Sequence, residues 1–186
     1  MSKTYQDEQN ELLEYLLYNL AYPKLSEPDS NKDIALELFI TTTCNKACEY
    51  CYLQKHQDKL YPQNLNKAEI IEQNCQILLN HFLEKEQKIT HIDLYSGEII
   101  GSTLWFNILD MILEANKKGL GTASIMVPTN GSFVLDDEVF KKVEEYLIYF
   151  RENKINLILS FSYDGGVLDV INRPLTSGEQ QNQQKL

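Results

Sequence analysis

Three cysteines in one short segment are the residues of this chain best suited to carry out chemistry. Cys44, Cys48 and Cys51 form the pattern C-x3-C-x2-C directly after an apolar segment. Thiolates at this spacing can bind three irons of a cubane [4Fe–4S] cluster and leave the fourth iron open to a small ligand. A reactive cluster needs such an open iron, so the spacing predicts a reactive iron–sulfur site.

A structural zinc site is the main chemical alternative, because His56 could complete a tetrahedral set with the three cysteines. Structural zinc sites favour two short knuckles that lie far apart in the chain, a pattern this segment lacks. The two sites differ in geometry. We expect sulfur–sulfur distances of roughly 6 to 7 Å around a cubane and about 3.8 Å around zinc with bonds near 2.3 Å.

The segments that must position the cysteines are predicted to alternate between strands and helices. The predicted strands cover residues 34–43, 89–95, 122–127 and 155–163, and the predicted helices cover 66–84, 103–118 and a segment that begins after Asp136. Connections of this length join parallel neighbours, because parallel strands need long crossovers. The predicted class is therefore α/β with a parallel sheet. The fourth cysteine, Cys75, shares a helical stripe with Ile71 and is predicted to be an inert core thiol.

Polar or glycine-rich motifs follow the later predicted strands, as the cysteines follow the first. These motifs are Ser96-Gly97-Glu98, Thr129-Asn130-Gly131 and Ser162-Tyr163-Asp164-Gly165. Taken singly, Glu98 could cap the next helix, and Asn130-Gly131 and Asp164-Gly165 are ordinary turn pairs. Because the carboxyl ends of parallel strands meet at one edge of the sheet, we expect these motifs to share a rim with the cysteines.

The chain is predicted to divide into three parts. Residues 1–33 form an amino-terminal helix and a linker, residues 34–175 form the core, and residues 176–186 form a polar tail or begin a further helix.

Composition excludes some functions. With 17 Lys and Arg against 27 Asp and Glu, the formal net charge is −10, which disfavours nucleic-acid binding. No uninterrupted apolar run reaches the length of about 18 residues that a membrane span needs, and residues 1–10 do not resemble a signal peptide. We expect a cytoplasmic protein without a membrane partner, whose thiols stay reduced or bind metal.

The stretch LELFITTTCNKACEYCYLQ and the order of the later motifs resemble radical S-adenosylmethionine (SAM) enzymes. Ser96-Gly97-Glu98 resembles the Gly-Gly-Glu element of that family, with Ser in place of the first Gly. Thr129-Asn130-Gly131 and Ser162-Tyr163-Asp164-Gly165 resemble its Thr-Asn-Gly and Ser-x-Asp-Gly elements. Asn172-Arg173-Pro174, followed by Ser177-Gly178, resembles the branch that modifies peptides and proteins, which includes anaerobic sulfatase-maturating and SPASM-like enzymes.

This resemblance implies a partial (β/α)6 radical SAM barrel with about four parallel strands, open on one side. It implies that Cys44, Cys48 and Cys51 hold a [4Fe–4S] cluster. The reduced cluster then passes an electron to SAM, and the resulting 5′-deoxyadenosyl radical removes a hydrogen from the substrate.

The resemblance also implies where SAM binds. Ser96, Gly97 and Glu98 would receive its amino group, and Tyr50 would cover the cluster or lie along the adenine. The remaining contacts would come from side chains at the ends of the third and fourth strands, which are Asn130, Ser162 and Asp164.

The implied partners are a peptide or protein substrate and an electron donor such as flavodoxin or ferredoxin. Small-molecule substrates and glycyl-radical activation stay open, as does a non-catalytic iron–sulfur or zinc-binding module on a degenerate barrel. The strand count predicts an incomplete barrel, either cut short or completed by another polypeptide. A bare last strand should then make the protein prone to association and weak in SAM cleavage.

Overall fold

The structure, a computed structural model, describes residues 34–53 and 67–175. Its strands are β1 (Ile34–Phe39), β2 (Ile89–Tyr95), β3 (Ser124–Thr129) and β4 (Asn156–Phe161). Its helices are α1 (Ala68–Glu84), α2 (Thr103–Lys117), α3 (Asp137–Glu152) and the short α4 (Gly166–Asn172), with a 3-10 turn at Ser132–Leu135 before α3. The predictions for residues 1–33, for 176–186 and for His56 lie outside the described residues.

The described strands form one parallel sheet in the order β1-β2-β3-β4. Helices α1, α2 and α3 provide the crossovers, so the predicted α/β class with four parallel strands is confirmed. In the described part of the chain β4 pairs only with β3, which leaves the sheet open on that side, as predicted. This open sheet is compatible with a partial barrel.

The hydrophobic core lies between one face of the sheet and the helices. Ile92 and Leu94 of β2 and Ile125 and Val127 of β3 are fully buried on this face. Helix α2 supplies the largest share of the core, with Trp105 fully buried at its start. Because side chains alternate along a strand, the residues between these are on the opposite face and are only half-buried. We call this second surface the open face. None of the described helices is long and apolar enough to cross a membrane.

Side chains that commonly cap helices begin α2 and α3. The Ser102 hydroxyl accepts a hydrogen bond from the backbone N–H of Trp105 at the start of α2. The Asp136 carboxylate accepts from the backbone N–H groups of Glu138 and Val139 at the start of α3. Helix α1 begins at Ala68 after Lys67, which makes no side-chain cap.

Strand β1 ends at Phe39, four residues earlier than predicted, because the chain leaves the ladder where β2 ends. The N–H of Ile40 still donates to the Tyr95 carbonyl at 2.8 Å. Beyond that point the carbonyls of Thr41 and Thr43 accept from the segment after β2. The predicted strand therefore included both the true strand and the start of the cysteine loop.

Strand β3 is shifted by two residues from its prediction and includes Pro128. The N–H of Thr122 donates to the Asn116 side chain at 2.6 Å instead of joining the ladder. Pairing of β3 with β2 ends at Met126, while pairing with β4 continues to Thr129. Pro128, which has no N–H, is therefore tolerated where β3 has one strand neighbour.

The exposed edge at β4 yields a prediction about association. Ile158 of β4 is 38% exposed, and among the described strands β4 pairs only with β3. Strand edges of this kind pair with other chains. Changing Ile158→Lys should weaken concentration-dependent self-association by roughly tenfold, the equivalent of about 1.4 kcal/mol, in analytical ultracentrifugation. The matched control is Ile148→Lys on α3, where Ile148 is 51% exposed. If both variants weaken self-association equally, the chains do not associate through the β4 edge.

Candidate functional site

The three cysteines line a cavity of about 350 Å³ at the carboxyl ends of the strands. Most of the residues predicted for the site also line it. These are Tyr50, Ser96, Gly97, Asn130 and Ser162. Glu98 and Asp164 lie next to this lining, since Glu98 binds Asn130 and Asp164 binds the Tyr50 hydroxyl. The parallel topology thus brings together motifs that are far apart in the sequence.

The cysteine loop is held by the segment that follows α4. Lys46 and Leu175 form an antiparallel bridge. The N–H of Ala47 donates to the Pro174 carbonyl at 2.7 Å, and the N–H of Glu49 donates to the Asn172 carbonyl at 3.2 Å. The loop that carries the thiols therefore depends on a segment more than a hundred residues later.

The backbone after β2 packs directly against the start of the same loop. Gly97 N–H donates to the Thr41 carbonyl and Glu98 N–H donates to the Thr43 carbonyl, both at 2.8 Å. A Cβ atom added at Gly97 would lie 2.3 Å from the Thr43 oxygen and 2.8 Å from the Thr42 oxygen. Only glycine fits this close approach of two backbones.

Glu98 joins the end of β2 to the end of β3. Its carboxylate accepts from the Thr129 hydroxyl at 3.0 and 3.1 Å, from the Asn130 N–H at 2.6 Å and from the Ile100 N–H at 3.3 Å. Burial raises the pKa of Glu98 in spite of these hydrogen bonds and of the nearby Arg173 charge. A partly buried carboxylate of this kind is stabilised by a positively charged partner.

The turn after β3 contacts the first cysteine. The Asn130 amide donates to the Asn45 side chain at 2.7 Å and to the Cys44 sulfur at 3.8 Å. Asn45 in turn donates to the Ser132 hydroxyl at 2.7 Å. Burial is the main cause that raises the pKa of Cys44, and the charges of Glu98 and Cys48 add to it. The thiol needs a metal or a cation to become a stable thiolate at neutral pH.

The segment that follows β4 contributes charged groups and a backbone carbonyl. The Tyr50 hydroxyl donates to both oxygens of Asp164 at 3.0 and 3.1 Å, although Tyr50 is 57% exposed. Arg173 is buried and donates to the Ser162 carbonyl. Its guanidinium also lies 3.5 Å from Asp169, which Lys46 approaches at 3.9 Å.

Sequence reasoning gave no site role to several residues that line the cavity. These are Thr42, Lys46, Tyr52, Leu53, Tyr95, Pro128, Thr129 and Arg173. Arg173 and Thr129 belong to sequence motifs noted above. Those motifs indicated that the two residues lie near the site but did not indicate what their side chains do there. Lys46 lies between Cys44 and Cys48 in the sequence of an acidic chain, which was a usable signal. The others have no local pattern that separates them from ordinary loop and strand residues.

Two buried polar atoms in the cavity wall point to a ligand. Ser96 Oγ and Arg173 Nε have no hydrogen-bond partner among the described residues, and buried polar groups normally have one. Among the described residues that line the cavity, the thiol donors are the three loop cysteines. These residues fit a cluster that three thiolates would hold. Within residues 34–53 and 67–175, no group of three or more His, Cys, Asp and Glu side chains is placed to bind one metal ion.

The fourth cysteine lies in the core, as predicted. Cys75 is 6% exposed and packs in the cluster that contains Ile71 and Leu79. Burial, with a contribution from Glu72, raises the pKa of its thiol to about 11. Cys75 is therefore a protonated, apolar side chain at neutral pH and serves as an internal control for the loop cysteines.

Comparisons with family models, with curated proteins and with solved structures find no match to this chain.

The close packing at Gly97 yields a prediction that separates the site from general stability. Gly97→Ala should lower the free energy of unfolding by about 1–3 kcal/mol and speed alkylation of Cys44 by iodoacetamide several-fold, because the clash displaces the loop. Gly119→Ala is the control, since its Cβ meets no atom within 4 Å although its φ is 106°. That variant should lose about 1–3 kcal/mol through backbone strain alone and leave Cys44 protected. Peptide mass mapping measures both rates, and equal rates would show that Gly97 does not hold the loop.

Proposed function

We propose that this chain binds a [4Fe–4S] cluster and SAM in the cysteine cavity and supports radical SAM chemistry on a peptide or protein side chain. The observation that carries the proposal is the convergence of three thiols and three strand-end motifs in one cavity. A three-cysteine loop alone is a weak signal. Here the Glu98 N–H also donates to the Thr43 carbonyl at the start of the loop, and the Asn130 amide donates to the Cys44 sulfur.

The proposed roles follow from the contacts of each side chain. Cys44, Cys48 and Cys51 would hold the cluster through three irons. Glu98 would pair with the SAM ammonium, whose positive charge would offset the burial cost of the carboxylate. Ser96 Oγ, which has no partner among the described residues, would bind a polar atom of the same ligand.

A second group of residues would close the site. Tyr50, whose hydroxyl donates to Asp164, would cover the cluster or lie along the adenine. Asn130 and Ser162 line the cavity and would contact SAM hydroxyl or carboxylate groups. When bound, the cluster and SAM supply the electron and the carbon radical, and the chain's task is to hold, orient and shield them. Flavodoxin or ferredoxin would deliver the electron, and a cytoplasmic location would keep the thiols reduced.

The exposed edge of the sheet at β4 favours a second candidate function. Phe161 and Tyr163, at and after the end of β4, are 56% and 70% exposed near the cavity. A site that is open to water on this flank suits a module that carries iron–sulfur or zinc without radical chemistry. Metal identity and SAM binding separate the two candidates.

Anaerobic reconstitution with iron and sulfide tests the proposal. We expect about four irons per chain with visible charge-transfer absorbance. Single changes of Cys44, Cys48 or Cys51 to Ala should lower bound iron by more than about tenfold. Cys75→Ala is the matched control and should keep the cluster, because Cys75 lies in the core. Stoichiometric zinc in place of iron, or equal loss in all four variants, would contradict the proposal.

The variant Glu98→Gln tests the SAM subsite separately. It keeps one oxygen acceptor but removes the negative charge, so SAM affinity should fall roughly tenfold while the cluster absorbance stays unchanged. Equilibrium binding of labelled SAM to the reconstituted protein measures the effect. If the cluster is lost as well, Glu98 holds the loop in place and has no direct role in SAM binding.

A further inference from the structure

The open face of the sheet continues from the cysteine cavity onto the middle of β1 and β2. Tyr95, which lines the cavity, is the register partner of Phe39, and their ring centroids are 6.1 Å apart. Tyr52 also lines the cavity and hydrogen-bonds the Tyr95 side chain. Aromatic rings thus form the floor of the cavity where it meets the sheet.

Two carboxylates lie next to these rings on the same face of the sheet. Glu37 and Asp93 are register partners two residues before Phe39 and Tyr95, so all four side chains share one face. With a rise of about 3.3 Å per residue, the carboxylates lie roughly 7 Å along the strands from the aromatic pair. None of the β1, β2, β3 and β4 residues on this face is Lys or Arg.

Asp93 is held in place by a short polar chain. Its carboxylate contacts His91 Nε2 at 3.0 Å, and His91 Nδ1 contacts the Ser124 hydroxyl at 2.7 Å. Both ring nitrogens are therefore engaged, which fixes the orientation of the ring. Glu37 has no ion pair with a described residue.

This arrangement conflicts with what sheet stability alone would favour. Like charges on directly paired strand residues are destabilising. Residues that lower the stability of a fold tend to occur at functional sites. Carboxylates beside aromatic rings are the combination that binds an organic cation, through charge-assisted hydrogen bonds and cation–π contact. The adjoining cavity also holds Ser96 Oγ, which is 8% exposed and has no described partner. That unpaired atom, proposed above to bind SAM, indicates independently of the carboxylates that the cavity adjoining them takes a ligand.

We propose that the substrate of this site carries a primary ammonium or guanidinium group, which Glu37 and Asp93 bind on the open face below the Phe39–Tyr95 ring pair. The cation would hold one end of the substrate while an adjacent carbon reaches the cysteine cavity. This substrate class rests on the proposed function in one respect, since it takes the cavity as the place of reaction. A lysine or arginine side chain of a peptide has the required charge.

Binding of matched small probes to the full chain, without iron, sulfide or SAM, tests the proposal. The charged probes are the N-acetyl methylamides of lysine and arginine, and the neutral ones are those of norleucine and citrulline. Ligand-observed NMR titration should show each charged probe binding roughly tenfold tighter than its neutral counterpart, with the difference shrinking at high salt. Glu37→Gln should reduce this preference roughly threefold, and Glu37→Gln with Asp93→Asn should abolish it.

The control is Glu144→Gln, which removes an exposed carboxylate from α3 and should leave the preference unchanged. Glu37→Gln is isosteric and removes one of two facing charges, so it should fold, which circular dichroism checks. Equal binding of charged and neutral probes, or equal effects of the Glu37 and Glu144 variants, would overturn the proposal even if a cluster forms. Charge preference in a chain that forms no cluster would support this binding site and count against the proposed radical chemistry.

Discussion

Two backbone hydrogen bonds between the segments that follow β1 and β2 determine the rest of the site. Gly97 and Glu98 donate to the carbonyls of Thr41 and Thr43, which join the cysteine loop to the second strand end. The absence of a side chain at Gly97 permits this approach. Once the backbones are joined, Cys44 lies within reach of the charge of Glu98 and of the Asn130 amide.

The polar groups of the site are then stabilised by one another across the sheet. Glu98 accepts hydrogen bonds from the β3 end, and the segment after α4 pairs with the cysteine loop. Each contact closes a long chain loop, so none would form without the parallel sheet and its buried helix-facing side. The cavity therefore depends on the core, although no residue of the described core cluster lines it.

Much of the fold could be predicted from local patterns. The limits of β2 and the caps at Ser102 and Asp136 follow from apolar periodicity and from hydrogen-bonding side chains at helix starts. The end of β1 could not be predicted, since Ile40 to Thr43 are apolar or β-branched and only the end of β2 stops the ladder. Pairing of the cysteine loop with residues 172–175 also could not be predicted from local sequence patterns, because it depends on where α4 ends. The burial of the Arg173 charge could not be predicted for the same reason, because it too depends on where α4 ends.

The central claim is that the three thiols and the neighbouring strand ends form one site for a cluster and SAM. Electron paramagnetic resonance of the reconstituted, reduced protein, recorded before and after addition of SAM, tests it most directly. We expect the signal of a reduced [4Fe–4S] cluster to change shape when SAM is added, because SAM would occupy the open iron. A signal that SAM leaves unchanged, or a protein that takes up zinc and shows no cluster signal, would contradict it.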